Sequence, residues 1–181
     1  MTPPLIEPLE ITGPVACKLF LSSATNDADV FLVLRVFDPN VKEVTFQGAL
    51  DPRTPIGQGW LRASHRKLDP KLTQAYRPYH THDEVQPLAP GEVYELDIEI
   101  WPTCIVVPPG YRIGLTVRGK DYDFGGPPIV IPHAFYTFPG VGPFFHTHPQ
   151  DRPAGIFETV NTLHFGATRQ PYVLLPIIPP K

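Results

Sequence analysis

Hydrophobic and polar positions alternate most strictly between Tyr94 and Val117. Tyr94, Leu96, Ile98 and Ile100 fall on one side of an extended chain, and Glu95, Asp97 and Glu99 on the other. This is the period-2 pattern of a strand with one buried and one wet face. Ile113, Leu115 and Val117 repeat it beyond Pro108-Pro109-Gly110. Proline presets φ at the second position of a type II turn and glycine accepts the positive φ at the third. The spacing therefore predicts that the two runs turn back on each other as an antiparallel hairpin.

Four further segments read as strands. Val15, Cys17, Leu19 and Leu21 alternate with Ala16, Lys18, Phe20 and Ser22 after a Gly13-Pro14 break. Val30 to Phe37 is apolar except at Arg35, as in a central strand with both faces covered, and Asp38-Pro39-Asn40 ends it; Val44 to Phe46 extends it as a hairpin. Trp60 to Arg66 alternates again, with Leu61, Ala63 and His65 on one face and Arg62, Ser64 and Arg66 on a basic one. Tyr172 to Ile178 is continuously apolar, which predicts a strand inside a sheet. Between these lie two aperiodic stretches, Lys67 to Ala89 and the aromatic-rich Asp121 to Val160. The first reads as a crossing connection between sheets.

Composition sharpens this to an all-β class. Twenty-five prolines and fourteen glycines among 181 residues leave few windows in which a helix runs uninterrupted. The length suits one domain with one core, spanning 1–181. A net charge of −3 without a basic stripe gives no basis for nucleic acid or an anionic membrane as partner. No apolar run approaches membrane-spanning length and the N-terminus has no basic and apolar leader pattern, so a cytoplasmic location is expected. Cys17 and Cys104 stand too far apart in sequence to suggest a disulfide framework or zinc motif, and are read as two reduced thiols.

Several segments together carry a family likeness. They are Leu9-Glu-Ile-Thr-Gly-Pro-Val15, Asp29-Val-Phe-Leu-Val-Leu34, Gly59-Trp-Leu-Arg-Ala-Ser-His-Arg66, Pro90-Gly-Glu92, Trp101-Pro-Thr103, Asn161-Thr-Leu-His164 and Val173-Leu-Leu-Pro176. In this order they resemble the C-terminal domain of X-prolyl dipeptidyl-peptidases and of related serine hydrolases such as cocaine esterase and α-amino-acid ester hydrolases. The resemblance implies a jelly-roll β-sandwich of the galactose-binding-like type. It also implies an architectural role beside an α/β-hydrolase domain that holds the Ser-His-Asp triad, in the same chain or a separate one, with no catalytic residue in the sandwich itself. The residues agree: Ser22, Ser23 and Ser64 are the only serines and none sits in a Gly-x-Ser-x-Gly elbow.

Other chemistry is weighed against simpler readings. Ser64 and His65, adjacent on an expected strand, point to opposite faces and cannot share a proton. His80-Thr-His82 and His146-Thr-His148 each place two imidazoles on one face if extended, the donor pattern of a zinc or iron site, although histidines in proline-rich loops also serve backbone hydrogen bonding. Asn26, Asp27 and Asp29 offer oxygens to a structural calcium or, at less cost, to their own turn. Trp60, Trp101, Tyr76 and Tyr79 suit a sugar-stacking platform or ordinary packing. Arg62, Arg66, Arg112 and Arg118 are expected to pair across strands with Glu95, Asp97 and Glu99. Alternatively, Trp60, Arg62, Arg66, Trp101, Tyr122 and Phe124 are the residue types of a domain interface. Self-association follows if such a face is left uncovered. A stand-alone carbohydrate- or protein-binding sandwich is the rival to the accessory role, and a histidine-ligated metalloprotein the third reading.

Overall fold

The longest strand, β1 (Leu9–Ser23), is the spine of one antiparallel sheet. The computed structural model describes residues 1–48, 51, 53–124, 140–141 and 145–179. Along one edge of β1 runs β5 (Tyr94–Val107), paired from Leu9↔Val107 to Leu21↔Tyr94. Along the other edge lie three short strands in succession: β9 (Ile177–Ile178), β8 (Tyr172–Leu174) and β7 (Asn161–Leu163). The second sheet is built on β2 (Asp29–Phe37), flanked on one side by β3 (Glu43–Val44) and β4 (Gly57–Arg62) and on the other by β6 (Arg112–Arg118). The only helical pieces among the described residues are a 3-10 turn at Ala63–His65 and a single α-helical turn at Ala154–Phe157.

Period-2 alternation decides what lies between the sheets. Ile11, Val15, Cys17, Leu19 and Leu21 of β1 and Leu96, Ile98 and Ile100 of β5 face Val30, Leu32, Leu34 and Val36 of β2, with Leu61 and Ile113 closing the core. Each large aliphatic side chain withdrawn from water here contributes about 1.5–3 kcal/mol before conformational entropy is subtracted. The near-continuous apolar run of β2 is explained by burial on both faces. Its outward residue Val33 packs with Tyr122 and Val141 in a second, smaller cluster, with Phe124 against it.

Four local expectations need correction. First, β5 and β6 do not pair. The turn forms, with Gly110 at φ 82° and Tyr111 N–H donating to the Pro108 carbonyl at 3.3 Å, but it carries the chain from one sheet to the other. The hydrogen-bonding edges of β5 and β6 are taken by β1 and β2, and both strands keep their apolar residues on the shared core. Second, Gly13-Pro14 does not break β1. The register slips there against Trp101-Pro102, a bulge that accommodates two residues lacking an N–H and takes Trp101 out of the alternation. Third, the strand from Trp60 ends at Arg62, and Ala63–His65 form the 3-10 turn. Fourth, Tyr172 to Ile178 is not an interior strand. It is split at Leu175-Pro176, and Tyr172, Leu174, Ile177 and Ile178 are exposed along the sheet edge. The irregular character of Lys67 to Ala89 holds, while Gly125-Gly126-Pro127-Pro128, Phe135-Tyr136 and Gly142 to Phe144 lie outside the described residues.

Candidate functional site

The two sheets approach most closely where β4 crosses β5. A Cβ built on Gly59 would lie 2.0 Å from the Glu99 carbonyl oxygen, and one on Gly57 would lie 3.1 Å from Ile100 Cγ2. At position 59, where the obstacle is backbone, only glycine permits this crossing. It brings Trp60, on the outward face of β4, to Trp101 at the β5 bulge, with ring centroids 5.1 Å apart and tilted by 58°.

These rings border a cleft of about 430 Å³ at the sandwich edge. His146 forms part of its wall, its ring packed on Trp60 at 5.1 Å and edge-on to Phe31 at 5.3 Å. Asp121 positions His146 by accepting its backbone N–H at 2.7 Å and pairing with Nδ1 at 2.8 Å. On another side stand Arg62, Asp151 and Asp29. Asp29 accepts from Arg62 Nε at 2.9 Å and Nη2 at 3.1 Å, and lies 2.8 Å from Arg152 Nε. The Arg152 contact has ion-pair distance without hydrogen-bond alignment, since that N–H is not aimed at an acceptor. The hydrogen bonds to Asp29 hold the Arg62 guanidinium above its ordinary pKa. His65, His80 and His82 complete the lining beside Glu99.

Of the six residues expected at a domain interface, three meet here: Trp60, Arg62 and Trp101. Arg66 instead donates to the Ala63 and Gln86 carbonyls and stacks on Tyr94 at 4.4 Å. Tyr122 is buried in the second cluster, and Phe124 lies under Arg53 at 4.4 Å. The two His-Thr-His segments do not converge as pairs. His80, His82 and His146 line the cleft, whereas the exposed His148 opens a turn at 148–152. Among the described residues no group of three or more His, Cys, Asp or Glu side chains is arranged to hold a metal ion.

The expected arginine pairs with Glu95, Asp97 and Glu99 do not form: Lys18 takes the first two carboxylates, and Glu99 lines the cleft. The Lys18 ammonium binds Glu95 and Asp97 across β1 and β5, while Arg112 donates to the Thr2 carbonyl. Asp27 directs its carboxylate to the N–H groups of Ala28 and Ser64 and to the Ser64 hydroxyl at 2.6 Å, and Asn26 accepts from Leu88 through its backbone carbonyl. This is the turn chemistry of Asp beside a strand end. Tyr76 and Tyr79 sit exposed on the Lys67 to Ala89 connection, outside the lining of the tryptophan cleft.

The fold and this edge of the sandwich now meet their relatives. Residues 1–174 match the family described as the X-Pro dipeptidyl-peptidase C-terminal non-catalytic domain. The chain belongs to that family. It is 35% identical over 122 residues to a candidate serine esterase of Mycobacterium bovis, an alignment covering 65% of this chain and 18% of that one. It is 27% identical over 120 residues to the cocaine esterase of a Rhodococcus species, covering 65% and 17%. A CocE/NonD family hydrolase of Staphylococcus aureus superposes with a TM-score of 0.77 at 23% identity, over 97% of this chain and 29% of that one. The chain thus spans less than a fifth of the length of these curated relatives.

The X-Pro dipeptidyl-peptidase C-terminal domain is non-catalytic, and the serines here show why in physical terms. Ser64 is buried on Asp27. Ser22 meets His164 Nε2 at 2.8 Å, yet Ser22 is itself buried and no carboxylate pairs with His164 among the described residues. That contact ties β1 to the segment after β7, where His164 N–H also donates to the Phe20 carbonyl. Neither cysteine forms a disulfide. Burial, reinforced by nearby Asp97, pushes the Cys17 thiol up to about 12, whereas Cys104 is exposed. At pH 8 the folded 181-residue chain is expected to titrate one thiol with a disulfide reagent, and the denatured chain two. Two rapid equivalents from the folded chain would contradict the packing described for Cys17.

Proposed function

We propose that residues 1–181 act as one accessory domain of a serine hydrolase for acyl esters or amides, and that the Trp60–Trp101 edge docks on an α/β-hydrolase catalytic domain in the same polypeptide. The observation that carries this reading is the half-exposed aromatic edge: Trp101 keeps 48% of its surface accessible beside Trp60 and Arg62. Tryptophan and arginine are the side chains that dominate interface cores. Elsewhere along the β1–β5 pair, Lys18, Glu95 and Asp97 are satisfied among themselves. Membership of a C-terminal non-catalytic domain family, and the much greater length of the relatives, support a catalytic partner in the same chain. Two free thiols support a reducing, cytoplasmic setting, and among the described residues no helix is long and apolar enough to cross a membrane.

The test is to recover the natural polypeptide with antibody against this domain and treat it with a fluorophosphonate probe and chromogenic acyl esters. The expected result is a species well above 20.2 kDa that labels on serine and turns over ester, while the 181-residue chain alone does neither. Ester turnover by the 181-residue chain, a natural species of only 20.2 kDa, or a larger one that neither labels nor turns over ester, would overturn the proposal.

A further inference from the structure

Three imidazoles gather at the rim of the cleft on two segments that the backbone holds firmly. His65 ends the 3-10 turn after β4, which is anchored by Ala63 N–H on the Ala28 carbonyl at 2.8 Å and by Ser64 on Asp27. His82 approaches from the long connection, where Leu68 bridges His80 and Thr81 N–H donates to the Lys67 carbonyl at 3.1 Å. To reach His65, His82 adopts φ 53°, a left-handed conformation that few non-glycine residues take. Such departures mark places where side-chain placement has been favoured over backbone ease. The outcome is a separation of 3.2 Å between the two Nδ1 atoms and 5.3 Å between ring centroids. His80 lies alongside, its ring 6.0 Å from that of His82 and its Nε2 buried without a hydrogen-bond partner.

We propose that His65 and His82 chelate one divalent transition-metal ion, of the borderline class that includes Zn²⁺, Ni²⁺ and Cu²⁺, through their Nδ1 atoms. With metal–nitrogen bonds of about 2.0–2.1 Å, two nitrogens 3.2 Å apart subtend about 103° at a shared ion, between the square and tetrahedral angles. Imidazole donors select these ions over Mg²⁺ and Ca²⁺, which take oxygen. The nearby carboxylates do not compete, because Asp83 and Glu84 are both held by Lys67. Two protein ligands leave the other coordination positions to water, in keeping with the absence of any three-residue donor set among the described residues. His80 is the adjacent imidazole, its ring beside that of His82 and its Nε2 buried. An imidazole–imidazole hydrogen bond accounts for the same distance without a metal, and the experiment separates the two.

The test is titration of the folded 181-residue chain with Cu²⁺, followed by electron paramagnetic resonance, and with Zn²⁺ by competition against a chelating dye. The expected result is one saturable equivalent with the hyperfine signature of two equatorial imidazole nitrogens. His65→Ala and His82→Ala should each lose one nitrogen and weaken binding roughly tenfold or more. His148→Ala, exposed and outside the cluster, should change neither. His65→Gln and His82→Asn serve where the alanine variants misfold, and the nitrogen count of the unaltered chain decides the matter independently of any variant. Binding that survives loss of His65, that falls equally with loss of His148, or that shows one nitrogen or no saturable equivalent would overturn the site.

Discussion

Replacing Gly59 by alanine is expected to remove a large part of the domain's stability. The new methyl group would sit 2.0 Å from the Glu99 carbonyl oxygen and 3.0 Å from Ile100 Cα, and both obstacles are backbone. Neither can rotate away as a side-chain tip would, so β4 must lift off β5. Overpacking of this kind costs about 3 kcal/mol or more, set against a total of about 5–15 kcal/mol for a domain. Thermal unfolding of Gly59→Ala should fall by roughly 10 °C. Gly119→Ala and Gly155→Ala, where an added Cβ meets nothing within 4 Å, should stay within about 0.5 kcal/mol of the parent. A Gly59→Ala chain as stable as these controls would mean that the β4–β5 crossing is looser than described. The tryptophan edge depends on that crossing, so the same variant should also change the Trp60–Trp101 fluorescence.

Loss of Asp29 should be comparably severe for an electrostatic reason. Its side chain is 8% exposed and faces two guanidinium groups, Arg62 and Arg152, themselves 25% and 14% exposed. Phe157 packs against both arginines, with their Cζ atoms 4.6 and 5.7 Å from the ring centroid. Asp29→Ala leaves two partly buried cations facing each other without their shared anion. Removing one partner from a buried ion pair costs about 3–5 kcal/mol, far more than the pair's net worth against an apolar replacement. Asp151→Ala should cost under about 1 kcal/mol, because that carboxylate is mostly exposed and screened by solvent. Denaturant titration of the two variants checks the ordering. Equal losses would show that Asp29 and Asp151 share the anionic role.

The strands were legible where one rule governs them. Period-2 alternation located β1, β4, β5 and β6, and β2 and its two-sided burial followed from a run that is apolar except at Arg35. Strand partners were not legible, because alternation marks a face and says nothing about which edge is occupied. Pro108-Pro109-Gly110 makes the expected turn whether the chain returns to its own sheet or crosses to the other. The apolar run from Tyr172 misled for the same reason: continuous hydrophobicity looks alike on a buried strand and on an exposed, proline-split edge. At the candidate site, Trp60, Arg62 and Trp101 stand out by residue type, and the two glycines of Gly57-Gln58-Gly59 are a sequence signal of close approach. His65 falls in an alternating run that reads as strand but forms the 3-10 turn beside His82, while Asp151 sits in an aperiodic stretch without a pattern to single it out. The cysteines and the absence of a nucleophile elbow were read directly from residue identity.

The docking of the tryptophan edge is tested most directly by hydrogen exchange on the 181-residue chain alone and within the larger natural polypeptide. Docking predicts slower exchange in the larger protein at Gly57–Arg62, at the β5 bulge around Trp101 and around His146, with exchange around the Lys18–Glu95 contact unchanged. Unchanged exchange along the tryptophan edge, or protection confined to the Lys18–Glu95–Asp97 face, would contradict it.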